Sequence, residues 1–258
     1  MNKILNIYKP QGLTPLEIIK LVREKFPEYK DEKIGFAGRL DPLAHGVLLL
    51  MVGEETTRQK DQFLNLPKEY EFEILYGVQT DTYDVLGLLQ NENFRVIKNI
   101  DPEKINAFIT SKLGKQTQAY PPFSSKTVNG QPLFWWAKNN KLSEIKIPTR
   151  KIEIYDFKLL EQKQITKEKL KVEIIRQIEL VQGDFRQEKI KEKWTDFFIH
   201  NQNQIFSTAR FSIFCSSGTY VRSLANELGE KLGTGAITLE ILRKKAGEYL
   251  LKDSKKLS

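Results

Sequence analysis

Gly35-Phe36-Ala37-Gly38-Arg39-Leu40-Asp41-Pro42-Leu43-Ala44-His45-Gly46, continued by Val47-Leu48-Leu49-Leu50-Met51-Val52, joins a glycine-punctuated loop to an uninterrupted apolar run. The run has a glycine at each end, Gly46 and Gly53, and suits a strand buried on both faces. A buried helix has the same composition, and periodicity alone does not separate the two. Pro42 biases Asp41 toward an extended or turn conformation, so a carboxylate is offered from a constrained loop beside a rigid element. A simple Asx-turn, with Asp41 bonding a nearby amide, explains the same residues without chemistry. The glycines form neither G-x-G-x-x-G nor a Walker motif, which excludes a nucleotide-cofactor loop of either kind.

A chain of 258 residues is long enough to bury a sizeable core. Lys and Arg number 41 against 33 Asp and Glu, a net charge of +8 that favours a polyanionic partner, most economically a nucleic acid. Cys215 is the only cysteine, which rules out an intrachain disulfide or a cysteine metal cage and places the chain in a reducing compartment. It is expected to be a core residue. His45 and His200 are too few for a histidine-rich metal site, and His45 reads as a turn histidine. No segment approaches the roughly 18 apolar residues of a membrane span, and the N-terminus lacks the apolar centre of a signal peptide. A soluble cytoplasmic protein is expected.

On either side of the Asp-Pro loop the elements are regular. Asn2 to Tyr8 predicts a strand and Lys9-Pro10-Gln11-Gly12 its closing turn. Thr14, Pro15 and Glu17 form a capping box for a helix with an apolar face of Ile18, Ile19, Val22 and Phe26. Glu54 to Lys60 begins a short helix that carries Phe63 and Leu64 inward. Tyr70, Phe72, Ile74 and Tyr76 alternate in a strand closed by Gly77. Thr80-Asp81-Thr82-Tyr83-Asp84 lacks the glycine and distal glutamate of an EF-hand loop and reads as a turn. Asp101-Pro102 caps a helix through Ile105, Phe108, Ile109 and Leu113.

Tyr120 to Gly130 joins an extended Pro-Pro segment to an Asn-Gly hairpin signal. Phe134, Trp135 and Trp136 follow and read as core. Ile152, Ile154, Phe157 and Leu159 predict a strand. From about 161 to 205 the chain is dense in both charges, an insertion packed down by a helical face at Ile190, Trp194, Phe197 and Phe198. Phe211, Ile213 and Cys215 form a further strand, and Val221, Leu224, Ala225, Leu228 and Leu232 a helix ended by Gly233. Arg222 falls in the first turn of that helix, where the dipole disfavours a cation unless it faces an anion; a solvated surface arginine is the alternative.

Lys9-Pro10-Gln11-Gly12, Gly35 to Gly46, Lys68-Glu69-Tyr70, Thr80-Asp81-Thr82 with Asp84, Pro122 to Gly130, Gly218-Thr219-Tyr220-Val221-Arg222 and Leu242-Arg243 occur in one order. That order resembles the TruB family of tRNA pseudouridine synthases over residues 3 to about 160 and 208 to 250. The resemblance implies an α+β pseudouridine synthase fold, a mixed, mostly antiparallel sheet flanked by helices and loops. It implies isomerisation of a uridine in the T-loop of tRNA, position 55, with no cofactor or metal. By resemblance Asp41 is the nucleophilic or proton-abstracting carboxylate, Tyr70 stacks on the flipped base and helps remove the C5 proton, and Arg222 pairs with Asp41. Lys9, Phe36, Arg39, Lys126 and Arg243 are the candidate substrate-binding residues.

The chemistry agrees with those roles. A guanidinium beside a carboxylate favours its ionised form and can grip it by two parallel hydrogen bonds. An aromatic face returns part of the few kcal/mol that unstacking a base costs. Two residues depart from the family pattern: Phe36 stands where histidine is usual and Arg39 where threonine is usual. Phe36 is of a size to wedge into the space left by a flipped nucleotide. The expectation is a single catalytic domain over 1–258, with no C-terminal PUA-type domain, binding the T-stem-loop as a monomer without an obligatory protein partner. The same isomerisation on another stem-loop RNA, or an idle tRNA-binding or tRNA-folding protein, are the alternatives.

Overall fold

The computed structural model describes residues 3–90, 100–202 and 204–257; Asn2, expected in the first strand, lies outside them. Strand β1 (Lys3–Lys9) leads into helix α1 (Pro15–Lys25), whose capping box forms: Thr14 Oγ1 accepts from Glu17 N and Glu17 Oε2 from Thr14 N. Strands β2 (Ile34–Ala37) and β3 (His45–Val52) flank the Asp-Pro loop. The polar segment after Gly53 makes two short helices, α2 (Glu54–Arg58) and α3 (Lys60–Leu64), before strand β4 (Lys68–Tyr76). Helix α4 (Pro102–Lys112) is capped by Asp101, and Leu113 is its exposed C-cap rather than part of the buried face.

Strand β5 (Gly114–Ala119) is followed by the hairpin β6 (Thr127–Val128) and β7 (Gln131–Pro132), in which Asn129 and Gly130 both take positive φ as a two-residue turn requires. Then come α5 (Leu133–Lys138), β8 (Thr149–Thr166), α6 (Lys167–Leu180), α7 (Gln187–His200), β9 (Ile205–Cys215), α8 (Val221–Leu232), β10 (Ala236–Ala246) and β11 (Tyr249–Leu250).

Nine strands of the described residues form one sheet in the order β1-β3-β10-β4-β9-β8-β5, with β2 added to β3 and β11 to β10. Among the strand pairs of the described residues, only the short β3–β10 contact is parallel. The apolar run of β3 is thereby a strand. β1 supplies hydrogen bonds along one edge, and β2 and the start of the β10 contact share the other. Leu48, Leu50 and Val52 enter the main core with residues of α1, α4 and α8, while Val47, Leu49 and Met51 enter a small core with Ala37 and Ala246. Burial on both faces accounts for the absence of alternation.

The expected insertion at 161–205 begins later than its charge suggests. Residues 161–166 are still β8, paired with β9 as far as Thr166 opposite Ile205. The exposed side chains of that half-strand are polar, which gives a strand the composition of a surface segment. What leaves the sheet is the hairpin α6–α7. Its Ile174, Ile178, Ile190, Trp194 and Phe198 are buried against Leu75, Val78, Val85 and Ile237, with Phe197 partly buried beside them. No helix of the described residues is long and apolar enough to cross a membrane.

Candidate active site

Three strands set the site's floor. In the sheet register Arg243 on β10 lies opposite Gly46 on β3 and opposite Tyr70 on β4, so the loop that enters β3 and the ring of Tyr70 meet across one arginine. Gly46 has φ +106°, and a Cβ there would lie 2.3 Å from the Arg243 carbonyl oxygen, so no larger residue fits the crossing. Arg243 Nε donates to Val47 O at 2.6 Å and Nη2 to Gly38 O at 3.1 Å. Lys9 Nζ donates to Pro10 O, Pro42 O and Ala44 O at 2.9, 3.0 and 2.6 Å. Two buried cations thus hold the Asp41 loop by its carbonyls from either side.

Helix α8 brings the counter-ion. Arg222 is buried, and its Nε donates to Asp41 Oδ2 at 2.7 Å, with Asp84 Oδ2 at 3.6 Å. Nη1 donates to the carbonyl of Thr82, and Nη2 to that of Phe123 at 3.2 Å. The guanidinium therefore meets Asp41 through one hydrogen bond rather than a parallel pair, because its fork is spent on two loop carbonyls. Burial opposes the charge of Arg222, but Asp41 and Asp84 outweigh it and hold the group charged more firmly than in water. Burial pushes the Asp84 carboxyl up to about 6, against the opposing pull of Arg222 and of the Thr82 hydroxyl, which donates to Oδ1 at 2.6 Å.

The pair opens onto a cavity of about 640 Å³, a volume ordinary for a small-ligand site. Asp41, Tyr70, Phe123, Phe134 and Ile241 line it, and the exposed cations Arg39, Lys126 and Lys138 stand on its wall. Burial raises the Tyr70 phenol, with Arg243 opposing, so at neutral pH Tyr70 keeps its proton. Burial lowers Lys68, another lining residue, to about 8; its Nζ donates to Leu64 O and Leu66 O at 2.5 Å each.

A family model described as TruB family pseudouridylate synthase (N terminal domain) matches residues 27–179. The chain belongs to the TruB family. Among curated relatives, tRNA pseudouridine synthase B of Aquifex aeolicus is 31% identical over 254 residues, covering 98% of this chain and 71% of that protein. The synthase of the same name from Ligilactobacillus salivarius is 31% identical over 261 residues, covering 100% and 72%. A solved Cbf5–Nop10–Gar1 complex includes a chain similar in fold, with a TM-score of 0.59 at 20% identity, covering 98% of this chain and 52% of that one. This TruB-family chain thus spans about half the length of that solved chain.

Asp41, Tyr70 and Arg222, far apart in sequence, line one cavity in this TruB-family fold, as do Arg39 and Lys126. Arg39 lies 5.5 Å from the centre of the Phe36 ring and Lys126 5.7 Å from that of Tyr120. The structure places the other candidates as follows. Lys9 ends β1 and is buried with its three carbonyls, so it supports the loop and does not face the cavity. Phe36 packs on the main core from β2 and does not line the cavity. Arg243 lines the cavity, with its Nε and one Nη2 donor engaged by Val47 O and Gly38 O. His45 is the first residue of β3, not a turn residue, with Nδ1 at 3.1 Å from Tyr8 Oη and Nε2 at 3.1 Å from Glu240 Oε1.

Phe134 is exposed and lines the cavity instead of joining the core. Trp135 and Trp136, half-buried, pack edge to face on each other. Sequence reasoning assigned no role to Asp84, Lys68 or Arg186. The first two stand inside quoted motifs and were findable as buried-charge candidates; Arg186 carried no local signal.

Proposed function

We propose that this protein converts uridine to pseudouridine in tRNA, at position 55 of the T-loop. The Arg222–Asp41 pair beside an aromatic-lined, nucleotide-sized cavity carries this reading, and the names of the curated relatives supply the substrate class. The reaction is an isomerisation. The N1–C1′ bond breaks, the freed uracil turns, a C5–C1′ bond forms, and the proton lost from C5 is balanced by one gained at N1. No electrons are consumed, and a single carboxylate suffices because the leaving base stays bound.

In this reading Asp41 either attacks a ribose carbon or abstracts a proton, and Arg222 holds it in place. Tyr70 stacks under the flipped base. Its phenol, raised by burial, enters with its proton on, so a role in removing the C5 proton requires that proton to be passed on first. Arg39 and Lys126 contact phosphates at the rim. Residues 1–258 act as one catalytic domain, as a monomer in the cytoplasm. Nucleoside analysis of a T-arm stem-loop incubated with wild type should show one pseudouridine at position 55. Asp41→Asn should abolish it while the RNA still binds. Pseudouridine at another uridine would overturn the position, and RNA binding without product from wild type would overturn the enzyme.

A further inference from the structure

We propose that Arg186, at the start of α7, is a positioning residue for the Arg222–Asp41 pair, acting by clamping the two loops whose carbonyls orient Arg222. The inference rests on the functional reading above and gives the α6–α7 hairpin a part in catalysis. Arg222 is aimed by the carbonyls of Thr82 and Phe123. Arg186, itself on the cavity wall, grips the same two loops. Its Nη1 and Nη2 donate to Asp81 Oδ2 and Oδ1 at 2.7 and 3.1 Å, one residue before Thr82, and its guanidinium lies 4.5 Å from the centre of the Phe123 ring. A forked ion pair and a stacked ring fix orientation as well as distance, which a lysine does not achieve.

The backbone at Arg186 takes an uncommon conformation. Its φ is +66°, the left-handed region that L residues other than Asn and Asp seldom occupy, and the helix that follows starts from its carbonyl, which accepts from Ile190 N at 3.0 Å. A cation at a helix start is disfavoured by the dipole, and Asp81 supplies the compensating anion. Asp81 is itself fixed, its Oδ1 accepting from Leu88 N at 2.8 Å. Arg186, Asp81 and Phe123 therefore close a bridge between hairpin, turn and cavity wall, with Arg222 at its inner side.

Two variants test the clamp. Arg186→Met keeps an aliphatic stem and removes the fork; Asp81→Asn keeps the acceptor for Leu88 N and removes the charge. In single-turnover assays on a T-arm stem-loop, each should lower the rate on the order of 10- to 100-fold, the scale of a small misplacement of a reacting group, with KM unchanged. The double variant should be no slower than the slower single one, since both break one unit. Arg186→Lys should recover only part of the rate. Thermal melts establish that each variant is folded, and the Arg222 Nε–H resonance in ¹⁵N NMR of the free protein should move in both.

A wild-type rate in Arg186→Met overturns the proposal. So does a raised KM with an unchanged rate that Asp81→Asn does not reproduce, which marks a direct RNA contact. If wild type forms no pseudouridine, the functional reading fails, and the Arg222 resonance still decides the clamp: unmoved in both variants, it overturns it.

Discussion

At Asp84 a buried carboxylate shares an arginine with the candidate catalytic one, and the environment makes the two unequal. Asp84 sits near 6 in the fold against an ordinary 3.8. The native state therefore binds more protons than the unfolded chain between those values, and stability falls as pH rises through them. Its stabilising contribution is complete below about pH 4 and gone above about pH 6, worth up to about 3 kcal/mol. Asp84→Asn should flatten this part of the pH profile of urea midpoints, and a difference profile between wild type and variant that is level from pH 4 to 6 would contradict the burial argument. Lys9 shows the opposite case. Burial lowers it to about 7, yet its three carbonyl partners use three N–H donors, which only the ammonium supplies. The hydrogen bonds argue that it is charged where it sits, as a structural cation under the Asp41 loop.

At the scale of an element, α8 delivers Arg222, and its placement depends on a glycine within the helix. A Cβ on Gly229 would fall 2.1 Å from Ala236 N, against the backbone that starts β10. In an exposed helix Gly→Ala gains about 1 kcal/mol. Here Gly229→Ala should cost about 2 kcal/mol, because the overlap is with backbone that has no rotamer to change. A lower urea midpoint with an unchanged m-value is the expected result; a rise would show that α8 shifts freely. The α8 pattern of Val221, Leu224, Ala225, Leu228 and Leu232 is legible in sequence, as is the capping box of α1. The outer half of β8 was not, because residues 161–164 are polar and exposed on both faces, which makes the strand resemble the charged hairpin that follows it.

For the whole molecule, the charge of +8 is informative only through where its cations are free. Lys9 and Arg243 are buried and committed to carbonyls, whereas Arg39, Lys126 and Lys138 are exposed on the cavity wall. Binding of a T-arm stem-loop should weaken with salt, each phosphate-bound cation contributing about 0.7 to 0.9 to the slope of log K against log salt concentration. Lys126→Gln with Lys138→Gln should reduce that slope by about 1.4 to 1.8. A slope unchanged in the double variant would move the RNA to another face.

The chain's own sequence determines the local pieces: the Asp-Pro loop between glycines, the caps, the strand alternations, and the family order that points to Asp41, Tyr70 and Arg222. Those features depend on neighbours along the chain, and side-chain periodicity records them. It left the apolar run at Val47 to Val52 undivided between helix and strand, because a residue buried on both faces carries no period. Only the tertiary structure decided that, by supplying strands on both edges of β3. It also decided which cations face the cavity and which are spent inside, and it carried Arg186 to the cavity wall against the loops that aim Arg222. Such pairings join residues some hundred positions apart, and no local pattern encodes a contact made only when the sheet closes.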